Sequence, residues 1–303
     1  MQRINHGELS LTILKRPTGS DMDLLENGYQ LHPLIISEVS RFTLHPKIEH
    51  YHNHALVIFH FPHFDRAKKE LRSSEVDFIL TPQELILVQY DDLEPLDQLI
   101  KQLAEETSLR EDFFSGDIGL LLYKILNQLF HQLFPQLDHI IKKVDHLEDT
   151  IFQGADEELV SEISLLRREA MSFKRIIQPN VEILQEIAKY SNGFFTPQTA
   201  PYFSNLMSIN QRLASLIENE TRTLEILHQT NTALLSNKIS KVMRLLTIFS
   251  VIVFPLTLFA TLFAMRTEVT PIIGQRGDFW IIIGIMSAIT LAMLGWFKEK
   301  HWL

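Results

Sequence analysis

The chain has 303 residues, 46% of them hydrophobic, with a formal net charge of −9. That balance excludes the basic face of a nucleic-acid binder and is compatible with a body that gathers cations. The absence of cysteine excludes disulfides, thiolate metal sites and cysteine nucleophiles.

In chain order, Met1–Leu11 holds Arg3, His6 and Glu8 and has no apolar core, so it does not read as a signal peptide. Residues 1–115 read as a cytosolic α/β domain. Strands are expected at Leu9–Leu14, Leu56–Phe61, Val76–Leu80 and Leu85–Gln89, with Thr81-Pro82-Gln83-Glu84 as a hairpin turn. Helices are expected at Met22–Tyr29, Leu34–Arg41 and Leu93–Glu106. Within this part His50, His52 and His54 alternate. On a strand they would share a face able to bind zinc, nickel or cobalt, and in a polar turn they would be solvated.

Residues 116–200 read as a helical hairpin. Leu137, Ile140, Val144, Leu147 and Ile151 step by three and four, a heptad-like seam for a partner helix. Gly154 ends that helix. Glu157–Tyr190 follows, bent or interrupted near Pro179, and Asn192-Gly193 with Pro197–Pro201 form a loop. Residues 201–244 form a stalk helix carrying Leu206, Ile209, Leu213, Leu216, Leu224, Leu227 and Leu234. With no glycine or proline before Pro255, it should enter the next segment as one helix of about 60 residues, roughly 90 Å.

Leu245–Met265 is uncharged and, at about 21 residues or roughly 31 Å of helix, matches a hydrocarbon core of about 30 Å. Phe279–Phe297 is a second uncharged run of similar length, so 245–265 and 279–297 read as transmembrane helices around an external loop, 266–278, with 298–303 as a cytosolic tail. Lys238, Lys241, Arg244, Lys298 and Lys300 flank the outer ends of the two runs. The loop has Arg266 and Arg276, offset by Glu268 and Asp278. This asymmetry places both termini in the cytosol. Trp280 and Trp296 suit interfacial anchoring. Pro255 deletes one helical hydrogen bond, and Thr257 and Ser250 are near enough to re-satisfy the freed carbonyl.

Two spans cannot enclose an aqueous path, so a pore requires a cyclic oligomer. Ser240, Met243, Thr247, Ser250, Phe254, Thr261 and Met265 lie near one face of the first span. Their hydroxyls either line water or bond back to helix carbonyls.

The stretch SNKISKVMRLLTIFSVIVFPLTLFATLFAM, the second span and the ending FKEKHWL resemble the CorA family of metal-ion transporters. The family pattern Asn-x-x-Asn-x-Val-Met-Lys-x-Leu-Thr, Pro-Leu-Thr, then Tyr-Gly-Met-Asn is met by Asn237, Val242, Met243, Leu246, Thr247, Pro255, Leu256, Thr257 and Met265. HPKIEHY at His45–Tyr51, LEDTIF at Leu147–Phe152 and LRREAMSFKRIIQP ending at Pro179 also resemble the family. The resemblance implies a funnel-shaped homopentamer in the inner membrane, with the stalk helix lining a central pore and the second span in an outer ring. It implies divalent cations as the transported species, magnesium, cobalt or nickel, with zinc in the ZntB branch, and no cofactor. Pore-facing positions carried over are Ser240, Met243, Leu246, Phe254 and Thr261, with Met243 and Leu246 as a hydrophobic constriction.

The filter departs from the family: after Phe263, Gly-Met-Asn becomes Ala264-Met265-Arg266, Ser240 replaces a deeper asparagine, and Thr270-Pro271-Ile272 stands where Met-Pro-Glu is usual. Five guanidinium groups about 8 Å from a divalent ion would oppose it by about 5 kcal/mol before screening. Three arrangements remain open at this stage: Arg266 anchored at the headgroups, Arg266 paired with Glu268, or an exposed cationic ring. The expected function is a CorA-type transporter or channel for divalent cations. The alternatives are a membrane interaction or sensor protein that has lost efficient conduction, and, more distantly, anion passage. No phosphate loop, His-Glu-x-x-His or nucleophile elbow is present, so no enzyme is expected.

Overall fold

Of the two strands at the start of the chain, the second was expected from the sequence and the first was not. β1 (Gln2–His6) and β2 (Leu9–Lys15) are joined at Gly7, whose φ of 61° suits a residue without a Cβ. The computed structural model describes residues 1–29, 31–65, 70–154, 157–189, 193–265 and 277–300. α1 (Gly19–Tyr29) and α2 (Pro33–Val39) come next. Pro33 opens α2 where a missing N–H costs nothing. β3 (Lys47–His50), β4 (Ala55–Asp65), β5 (Glu70–Leu80) and β6 (Glu84–Gln89) complete one six-stranded sheet of order β1-β2-β6-β5-β4-β3. Only β2 and β6 pair in parallel.

The two sheet faces follow the period of two along each strand. On β4, Leu56 and Ile58 join Ile79, Ile86 and Val88 in a core closed by Leu25 of α1 and by Ile35 and Val39 of α2. Val57, Phe59 and Phe61 point the other way, with Phe78 and Leu87, into the larger core. Both faces of β4 are therefore dry, which explains its nearly unbroken apolar run. The expected strands are all present, but β4 and β5 extend to the pair Asp65↔Glu70, beyond the apolar residues that marked them.

The larger core is closed by α3 (Glu94–Glu105), α4 (Thr107–Phe113), α5 (Ile118–His131), α6 (Leu133–Gln153), α7 (Glu157–Ile177), α8 (Asn180–Lys189) and the first part of α9 (Ala200–Ala264). Asp117 caps α5 by accepting from the Leu120 N–H at 2.8 Å. The Leu137–Ile151 seam is fully buried in this core. α7 and α8 are separate helices meeting near Pro179, as the proline implied. α9 runs 65 residues with Pro255 inside it.

Contacts divide the chain into two compact units. Unit 1 contains Met1–Gly154 and Glu158–His228, and unit 2 is built on Gln229–Leu303. In unit 2 the last part of α9 and α10 (Asp278–Glu299) are each long and apolar enough to cross a membrane. Ile248 and Phe297 are buried there, while most other apolar side chains of the two helices are exposed.

Candidate functional site

At about 100° per residue, Ser240, Met243, Leu246, Thr247, Ser250, Phe254, Thr257, Thr261 and Met265 fall within an arc of about 120° on α9. The face is open: Met243 is 56%, Leu246 55% and Phe254 72% exposed, so none of the other described residues covers it. Uncovered apolar side chains on a membrane-length helix call for lipid or another copy of the chain. Phe263, counted with the filter positions, projects from the opposite side and packs on Phe259 at 4.7 Å. Ala264 is the last residue of α9, and the Met265 N–H donates to the Leu262 carbonyl at 3.4 Å as the helix closes. Arg266 and Glu268 lie outside the described residues.

Four of the hydroxyls on this face are spoken for as donors. Thr247 donates to Met243 O at 2.8 Å, Ser250 to Leu246 O at 2.9 Å, Thr257 to Val253 O at 2.8 Å and Thr261 to Leu258 O at 2.8 Å. What each hydroxyl then presents outward is oxygen lone pairs, which receive water protons or cations and repel anions. The same bonds correct one expectation. Pro255 frees the carbonyl of Val251, yet Ser250 and Thr257 bond to Leu246 and Val253 instead, because a hydroxyl reaches the carbonyl four residues back on its own row.

The histidine trio does not form a metal face. The Tyr51 N–H donates to the His54 carbonyl at 2.8 Å, closing a hairpin turn between β3 and β4. Chain reversal there breaks the strand alternation that a shared face needs. His50 sits on β3 with its Nε2 4.0 Å from Glu186, edge-on to Phe195 at 6.3 Å, and burial lowers its pKa against the pull of Glu186. His52 and His54 lie at the turn, lining a surface cavity with His32 and Tyr51. Among the described residues no three His, Asp or Glu side chains are placed to hold a metal ion.

A different polar cluster was missed. His60 of β4, Glu75 and Asp77 of β5 and Tyr90 after β6 converge beneath the end of α2. The only signal was Glu75 and Asp77 alternating with Val76 and Phe78. That alternation ordinarily marks a solvated face, and here both sides of the strand are covered.

An α/β unit under helices, followed by a helix of 65 residues and a second membrane-length helix, defines a membrane protein with a large extramembrane body. The chain belongs to the CorA family: the family model described as "CorA-like Mg2+ transporter protein" matches residues 12–299. It is similar to the cobalt/magnesium transport protein CorA of Thermotoga maritima, 24% identical over 279 residues covering 91% of this chain and 78% of that one. It is also similar to the putative metal ion transporter YfjQ of Bacillus subtilis, 24% identical over 286 residues, 94% and 87% of the two chains. Among solved structures, the complete CorA magnesium transporter from Methanocaldococcus jannaschii superposes with a TM-score of 0.85 at 18% identity, covering 100% of this chain and 95% of that one. This likeness carries the fold.

Proposed function

We propose that the chain is a homopentameric transporter or channel for divalent cations in the inner membrane, with both termini in the cytosol. Residues 245–265 of each copy surround a common axis, and residues 279–297 form the outer ring. The single observation that supports this best is the open α9 face, on which Thr247, Ser250, Thr257 and Thr261 donate inward and leave acceptor oxygens outward. Such a face suits hydrated cations and opposes the anion reading. Met243 and Leu246 are the narrow apolar collar, which gates by excluding water. Ser240, Phe254 and Thr261 line the path, and Ala264-Met265-Arg266 stands at the outer mouth. No cofactor is needed, because the gradient and membrane potential drive the ion.

Magnesium uptake into proteoliposomes, blocked by cobalt hexammine, tests the reading, together with a detergent mass of five chains. A second reading, a family member that senses or binds without conducting, is favoured by Arg266 in place of the family asparagine. It wins if the native chain is silent and Arg266→Asn conducts. Chloride-dependent current would instead require the anion reading.

A further inference from the structure

Strand β5 turns Glu75 and Asp77 toward α2, and neither carboxyl has any solvent exposure. Among the described residues, no lysine or arginine forms an ion pair with either one. Glu75 Oε2 accepts from the Thr43 N–H at 2.7 Å and lies 3.9 Å from His60 Nε2. Among the described residues, Glu75 Oε1 and Asp77 Oδ1, both buried, have no hydrogen-bond partner. Tyr90 Oη stands 2.5 Å from Asp77 Oδ2 and 2.6 Å from the carbonyl of Val39, the last residue of α2.

Counting protons decides the state of this cluster. A carbonyl oxygen can only accept, so the Tyr90 proton belongs to Val39 O. The Tyr90–Asp77 contact is then an oxygen pair with no proton of its own unless the carboxyl supplies it. At least one carboxyl must be protonated. We propose that the Glu75–Asp77 pair is a proton-binding site, and that Asp77, as a neutral acid, fastens the end of α2 to the sheet through Tyr90.

The surroundings agree. Burial raises Asp77 well above the usual carboxylate range, and the neighbouring Glu75 charge adds to it. Burial also raises Glu75, against the Thr43 N–H. Burial drives the Tyr90 phenol upward, so it keeps its proton. The other charged or titratable groups facing the cluster are Glu38 of α2, whose charge opposes ionisation of both carboxyls, His45 in the segment after α2, and His60 of β4. Lys47 of β3 is taken up by Glu38 and Glu49, both at 2.8 Å. His60, with no partner on its buried Nε2, is held neutral by burial.

Because the folded state holds a proton that the unfolded chain releases at lower pH, this site favours folding at low pH and loses that contribution as pH rises. The test is thermal unfolding of the full chain in detergent from about pH 5 to about pH 9, comparing native protein with Asp77→Asn, whose amide donates at every pH. The expected result is a native midpoint that falls with pH, and a variant midpoint that gains on it toward the alkaline end. Parallel profiles overturn the proposal. A rise in the native midpoint on adding magnesium or cobalt chloride at alkaline pH, lost in Asp77→Asn, also overturns it and makes the cluster a metal site. Infrared spectra of the native chain supply a readout that needs no variant. A buried carboxylic-acid C=O band at neutral pH, shifting in D2O and bleaching at alkaline pH, supports the proton site. Its absence at neutral pH refutes it. Glu75→Gln replaces Asp77→Asn if the latter does not fold.

Discussion

The side chain of Asn180 completes the edge of β4: its Nδ2 donates to the His60 carbonyl at 2.8 Å, and its Oδ1 accepts from the His60 N–H at 3.3 Å. β3 pairs only with Ala55–Ile58, so beyond Ile58 the β4 backbone has no strand on that side, and the first residue of α8 stands in for one. Asn180 and His60 are both buried, where unpaired backbone groups are costly.

Asn180→Ala should therefore lower stability by about 2–4 kcal/mol, since it orphans one buried donor and one buried acceptor. Asn180→Asp, which can accept but not donate, should be no better. Chemical denaturation of the detergent-solubilised chain measures both. A loss under about 0.5 kcal/mol would show that water already serves these groups.

Gly119, in the first turn of α5, is closely approached by the chain after α8. A Cβ added there would lie 2.4 Å from the Phe194 carbonyl oxygen, a backbone atom that cannot swing aside. Gly119→Ala is expected to cost about 1–3 kcal/mol through displacement of that segment. Gly284→Ala, with no atom within 4 Å of the new Cβ, serves as the matched control.

His60 predicts an acid-side effect of opposite sign to that of Asp77. Its ring stacks on Phe42 at 5.6 Å, and burial depresses its pKa to about 4. The unfolded imidazole takes a proton near its ordinary value of 6.5, so the contribution is complete above that pH and is lost as pH falls toward 4. The loss can reach about 3 kcal/mol. His60→Phe keeps the stacked ring without the titration, and its unfolding profile should lack this part of the acid decline. An unchanged acid limb would refute the assignment.

On α9 the proposed collar makes a kinetic prediction. Leu246→Ser should raise cation leak through proteoliposomes on the order of tenfold, equivalent to about 1.4 kcal/mol off the barrier to wetting. Flux equal to that of the native chain would remove Leu246 from the collar.

The absence of native cysteine makes single-cysteine labelling clean. Phe254→Cys, on the open face, should react with a membrane-impermeant thiol reagent. Ile252→Cys, turned about 160° away from Phe254 around the helix, should not. Equal protection of both would place the face against lipid.

Membrane-length helices, the long α9 and the family itself could be read from the amino acids alone. These depend on composition and on local periodicity: an uncharged run such as Leu245–Met265 has one physical destination, and an unbroken stretch before Pro255 has one local conformation. β1 and β3 were not legible, because edge strands of five and four residues carry too little apolar pattern to stand out. The histidine alternation left strand and turn both open for a related reason, since a turn closed by Tyr51 and His54 looks in sequence like one more strand step.

What the tertiary structure alone decided is the state of the polar groups. Glu75 and Asp77 have the spacing of a solvated strand face, and only the placement of α2 over that face buries them against Tyr90 and His60. Likewise the serines and threonines of α9 could be placed on one face by counting, but where each proton points depends on the formed helix. Position follows from local spacing, whereas protonation and hydrogen-bond direction follow from solvent exclusion, which requires distant segments to meet.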